Sequence, residues 1–271
     1  MKYNFNVEKV TKECIQWIKD WFEKNGPGCN VIIGMSGGKD STIVAKLCVE
    51  ALGADRVIGV AMPDRGQGIN EADKICKYLG IKYMFCPIDG VVAEFHKMWE
   101  DQHSDVKWSE QSEQNIPPRV RMTMLFALSQ TFNGRVANTC NLSEDYVGYA
   151  TLFGDNAGSF APLSQLTVTE IYQIGDYLGI PYEWVHKVPD DGLPHSSSDE
   201  VKFGFSYAEL DRYIREGIEP EGMCENNPNE RKIDKINRMY RNNKFKTEIV
   251  RIPHYNPTVW NQGTTVWDLL N

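Results

Sequence analysis

No apolar run in this sequence approaches the ~20 residues of a membrane-spanning helix, so a transmembrane protein is not expected. Basic excess is missing too: 29 Lys and Arg stand against 37 Asp and Glu, a net charge of −8. A protein that coats nucleic acid needs a basic face, so that class is set aside, although small anions can still be held locally. The seven cysteines, Cys14, Cys29, Cys48, Cys76, Cys86, Cys140 and Cys224, are odd in number and contain no C-x-x-C pair. Neither a zinc knuckle nor a redox dithiol fits that spacing, and no signal peptide is visible, so a reducing cytoplasm is the expected compartment. With 41% apolar and 24% charged residues, disorder throughout is not expected either. The 271 residues are enough to bury a sizeable core as one α/β domain.

What the chain does have is the stretch 31–42, VIIGMSGGKDST, followed by an amphipathic run over 43–52. An apolar run, two glycines and a helical pattern read as strand, tight loop and helix, which places bare N–H groups at a helix N-terminus and so makes an anion site. Gly37 and Gly38 let backbone approach a phosphate chain, Ser36 and Ser41 add hydroxyls, and the carboxylate of Asp40 suits a magnesium ion. Walker A fails, because Ile33 stands where its first glycine should be and Asp40 follows Lys39. Gly34, Ser36, Gly37 and Gly38 do not satisfy G-x-G-x-x-G either. A glycine pair beside a helix is by itself often a turn, and a lone acid at a helix start is often a cap.

Along the chain, residues 7–22 form a leading amphipathic helix whose Trp17 and Trp21 pack on the chain's own sheet or on a second subunit. Strands are predicted at 56–62, 81–88 and 135–139, with helices at 70–79, 91–99 and 167–178. Residues 100–113 read as a polar loop, and Pro117 and Pro118 open a helix running to 132. Strands alternating with helices predict right-handed crossovers and a parallel twisted sheet flanked by helices, Rossmann-like, with ligand beyond the strands' carboxyl ends at a switch point. Residues 62–68, beginning at Met62, lie just past a strand end and either line the nucleotide site or make an ordinary turn. Arg119 and Arg121, placed near a helix start, are candidates to grip a phosphate or carboxylate, with a solvated role open for at least one. A charged helix is expected over 228–241.

The string Ser36-Gly37-Gly38-Lys39-Asp40-Ser41 resembles the pyrophosphate loop of the N-type ATP pyrophosphatases. Segments 139–149 (TCNLSEDYVGY), 151–158 (TLFGDNAG) and Pro162-Leu163 narrow the resemblance to the NAD synthetase family, over about residues 15–217. The resemblance implies an adenine nucleotide alpha hydrolase-like fold and a two-step amidation. ATP first activates the nicotinate carboxylate of deamido-NAD as an acyl adenylate, and ammonia then displaces AMP. It implies ATP contacts at Gly34, Met35, Ser36, Gly37, Gly38, Lys39, Asp40, Ser41, Met62, Thr139, Lys187 and Asp190, and Mg²⁺ held by Asp40 and Glu144. Substrate contacts fall at Arg119, Arg121, Asp155 and Lys246, and chemistry at Asp40, Lys39 and Asp155. A lid at about 187–204, a homodimer and a C-terminal extension carrying Trp260 and Trp267 complete the expectation. The chain departs from the family at Leu152, Ser159 and Val168; a basic residue is usual at the last, which leaves Lys39 or Lys187 to meet the phosphate charge. Other readings are tRNA thiolation or GMP synthesis with the same loop, another carboxylate substrate, or a non-catalytic ATP-binding module of the universal-stress type. In such a module Glu144 would have no task.

Overall fold

The structure is a computed structural model in which residues 3–64, 69–186 and 199–257 are described. Lys187, Asp190, most of the expected lid, Trp260 and Trp267 lie outside them. Helix α1 (Val7–Asn25) leads into β1 (Asn30–Gly34) and α2 (Lys39–Leu52). There follow β2 (Val57–Ala61), α3 (Ile69–Leu79), β3 (Lys82–Phe85), α4 (Asp89–His103), α5 (Glu110–Thr131) and β4 (Gly134–Val136). Beyond the sheet come α6 (Leu142–Val147), α7 (Val168–Tyr177), α8 (Tyr182–Val185), α9 (Asp199–Phe203) and α10 (Tyr207–Glu216). A hairpin of β5 (Met223–Cys224) and β6 (Asn227–Arg231), then α11 (Lys232–Asn243) and α12 (Phe245–Ile249), end the described elements.

The four-stranded sheet is parallel throughout, in the order β3-β2-β1-β4. The chain winds outward from β1 to β3 and then crosses back to the other side of β1. The strand order therefore reverses between β1 and β4, which is where such sheets open a crevice. Side chains of β1 alternate between two cores, as a period of two requires. Val31 and Ile33 face α1 and α2, while Ile32 joins Ile58 and Val60 of β2 against α4 and α5. Each such residue, fully buried, contributes roughly 1.5–3 kcal/mol. Leu142 and Tyr146 of α6 are buried in a third cluster with Leu210 of α10 and Ile236 of α11, which anchors α6 beyond the sheet. Trp21 stacks on Phe160 at 5.0 Å, so the tryptophans of α1 serve the chain's own core.

Three expectations are corrected. Residues 100–113 are not one loop: α4 runs to His103 and α5 starts at Glu110, where Ser109 Oγ accepts the Ser112 N–H. Pro117 and Pro118 consequently lie inside α5 instead of opening it. Having no N–H, they cannot bond to the carbonyls one turn earlier, and burial of Ile116 and Val120 against the sheet outweighs that loss. Residues 227–231 are strand, not helix. Pro228 is tolerated there because a two-stranded hairpin has free edges.

Candidate active site

The loop after β1 is shaped by its own short side chains. Met35 N–H still bonds to the Val60 carbonyl at 2.8 Å, and then the backbone turns away at Gly37 with φ +82°. A Cβ on Gly37 would sit 2.9 Å from Glu71 Cβ, so both conformation and space ask for glycine. Ser36 Oγ accepts the Gly38 N–H at 3.2 Å, and Ser41 and Thr42 donate to the Gly38 carbonyl at 3.1 and 2.8 Å. No side chain caps α2 at Gly38. The first-turn N–H groups of this helix are thus left for an anion.

Across the switch point, the segment through Thr139 leads from β4 into α6. Asn138 holds it, donating to the Asp155 and Ala157 carbonyls at 3.1 and 3.3 Å. Asn141 caps α6, its Oδ1 accepting the Glu144 N–H at 3.0 Å while its Nδ2 donates to Asp40 Oδ1 at 3.2 Å. One amide therefore ties the two strand ends together and brings Glu144 beside Asp40. Lys39 Nζ lies 2.9 Å from the other oxygen of Asp40. Burial raises the Glu144 carboxyl well above its usual pKa, and Asp40 adds to this while Lys39 opposes it. Burial works against the Lys39 ammonium, but Asp40 and Glu144 outweigh it and its pKa rises. The carboxylates of Asp40 and Glu144 are hard oxygen ligands of the kind Mg²⁺ takes. Among the described residues no group of three or more His, Cys, Asp or Glu converges, so phosphate oxygens and water would complete a coordination shell.

Asn141 was missed in reading the sequence. Its signal was the N-x-x-E spacing to Glu144, a capping pattern that says nothing of a second bond to residue 40. Asp211 on α10 has a structural role. It accepts Ser143 Oγ at 2.5 Å and the Thr169 N–H at 2.8 Å, clamping α6 and α7 onto α10. Val168 is fully buried in that joint, which is why no basic side chain stands at this position.

A second group of expected residues meets on the other side of α6. Arg121 Nε donates to the Met62 carbonyl at 2.9 Å, and Arg119 Nε to the Leu152 carbonyl at 3.3 Å. Both lie more than two turns inside α5, so their position owes nothing to a helix start. Lys246 Nζ donates to the Gly148 and Ala150 carbonyls at 2.7 and 2.9 Å, and Asp155 Oδ1 accepts the Thr151 N–H at 2.6 Å. Burial lowers the pKa of Arg121, opposed by Asp64 and Asp155, and that of Lys246, opposed by Asp155. The three charges therefore border one recess. Asp155 has an exposed edge, yet desolvation in the recess raises its carboxyl, against the bond from Thr151. Asp145, half-buried, is pushed up to about 7 by burial and then by Asp155. Glu144 and Asp145, neighbours on α6, thus belong to the two groups respectively. Ser159, one of the departures, accepts the Val136 N–H at 3.1 Å and completes the ladder of β4.

The NAD synthase family model matches residues 10–250. An NH3-dependent NAD⁺ synthetase of Archaeoglobus fulgidus is 36% identical over 214 residues, covering 78% of this chain and 84% of the relative. Among solved structures, NMN synthetase from Francisella tularensis superposes with a TM-score of 0.79 at 25% identity, covering 93% of this chain and all of that one (100%). NH3-dependent NAD synthetase from Campylobacter jejuni, in complex with the nitrate ion, gives a TM-score of 0.70 at 26% identity, with the same 93% and 100% coverage.

Proposed function

Because the chain belongs to the NAD synthase family, we propose that it converts deamido-NAD to NAD in an ATP-dependent amidation, with ammonia as nitrogen donor and AMP and pyrophosphate as products. The observation that carries this reading is the Asn141 bridge, which faces Asp40 and Glu144 across a phosphate-type loop at the switch point.

A carboxylate does not react with ammonia, so a leaving group must first be attached to it. The unpaired N–H groups of α2, with Ser36 and Ser41 at its start, bind and orient the triphosphate, and Lys39 adds a cation where charge develops. Asp40 and Glu144 would hold Mg²⁺, which when bound neutralises phosphate charge and polarises the α-phosphorus toward attack. Arg121 and Lys246 attract the anionic nicotinate end toward the recess. Asp155, whose carboxyl is raised by burial, would take a proton from the attacking nitrogen. Thr139, past the end of β4, and Met62, past the end of β2, are proposed as further ATP contacts, and residues 187–204 as the lid of a single unit.

A homodimer is proposed as well, supported by Val91, Phe95 and Met98, an exposed apolar stripe at helical spacing on α4. The seven cysteines are free, and no described helix is long and apolar enough to cross a membrane. The free thiols support the proposed reducing, cytoplasmic setting.

Incubation with ATP, Mg²⁺, ammonium and deamido-NAD should yield AMP and NAD in equal amounts. Nicotinate mononucleotide is run in parallel, because the Francisella neighbour is an NMN synthetase. Preferred turnover of the mononucleotide would move the substrate assignment; no AMP from either would overturn the chemistry. Asp40→Asn should lower kcat by about 10²-fold or more with the far-UV spectrum unchanged.

A further inference from the structure

Lysine is among the residues least often buried, yet Lys39 in the first turn of α2 is only 8% exposed. Its ammonium sits 2.9 Å from Asp40 Oδ2, with the rings of Tyr172 on α7 and Tyr207 on α10 at 5.8 and 6.0 Å from their centroids. Aromatic faces and a carboxylate together make a pocket for a cation. Asp40 gives its second oxygen to Asn141, and the Glu144 carboxyl accepts no protein hydrogen bond among the described residues. Lys39 thus sets an ammonium directly against Asp40, the one of these two acids that it contacts among the described residues. A divalent ion at Asp40 and Glu144 would need the oxygen that the ammonium now holds.

We propose that Lys39 is a built-in counter-ion, which pairs with Asp40 beside Glu144 and competes there with divalent cations. Metal then enters together with the nucleotide, because the phosphates offer the displaced ammonium a new partner. This rests on reading the α2 terminus as the phosphate site, and it makes metal and nucleotide binding mutually reinforcing.

Mn²⁺ binding to nucleotide-free protein, measured by calorimetry, tests the competition. Lys39→Gln should bind Mn²⁺ at least about tenfold more tightly than the unaltered protein, since a like charge in contact with the site is removed. Lys39→Arg, which keeps the charge, should stay within about threefold of it. A non-hydrolysable ATP analogue should tighten Mn²⁺ binding more in the unaltered protein than in Lys39→Gln. Unchanged or weaker Mn²⁺ binding by Lys39→Gln would overturn the proposal. A second measurement needs no variant: amine acylation read by mass spectrometry should label Lys39 poorly without metal and several-fold more with saturating Mn²⁺. Labelling that does not respond to Mn²⁺ also overturns it. Neither measurement uses a carboxylate substrate, so a failed amidation assay leaves this inference standing, and its failure leaves the amidation standing.

Discussion

At the scale of single residues, Asn141 links stability to geometry. Asn141→Ala removes a helix cap, expected to cost about 1 kcal/mol in urea unfolding. It also frees Asp40 from α6, so kcat should fall by about tenfold or more. Asn141→Asp keeps an acceptor for the Glu144 N–H but sets a third negative charge against Asp40; stability should stay nearer the parent while activity is lost. A variant that loses stability but keeps kcat would show that the bridge does not position the carboxylates. The acids of α6 and α10 make a second prediction. Asp145 is pushed up to about 7 and Asp211 to about 6, both by burial first, against an ordinary value of about 3.9. The folded state holds these protons more tightly than the unfolded chain, so their contribution favours folding at low pH and fades as pH rises from about 4 to about 7. Asp145→Asn should flatten the urea midpoint across that window; an unchanged slope would contradict the shift. At this scale Ser36, Gly37, Gly38 and Asp40 were legible, because a phosphate loop is written in consecutive residues. The second bond of Asn141 was not, since its partner lies on another strand's exit.

Helices and strands carry the next level. The Arg215 guanidinium of α10 donates to both oxygens of Glu170 on α7 at 2.8 Å, and both side chains are almost fully buried. Removing one member leaves an uncompensated charge, so Arg215→Leu should destabilise by roughly 3–5 kcal/mol. The double variant Glu170→Gln, Arg215→Leu should recover part of that loss in the same denaturant titration; full additivity would argue that the two do not act as a pair. Periodicity located α1, α2, α3 and α7 to within a few residues, because an amphipathic face repeats locally. It misplaced the start of α5 and the strand β6. Prolines normally mark helix openings, and in α5 tertiary burial overrode that preference.

For the molecule as a whole, the stripe of Val91, Phe95 and Met98 on α4 is apolar surface that the single chain leaves exposed. Sedimentation should show a dimer, and Met98→Glu should shift it toward monomer without loss of helical signal. A monomer at micromolar concentration would refute the assembly. The glycine-serine string after β1, the alternation of strand and helix, and the acidic net charge were determined by the sequence itself, because each depends on neighbours in the chain or on composition. That β4 lies beside β1, that one amide links Asp40 to the start of α6, and that Lys39 sits near two aromatic rings were decided only by the tertiary fold. Those contacts join residues roughly a hundred positions or more apart, and the free energy that selects them comes from burying three cores at once, a quantity no local stretch contains.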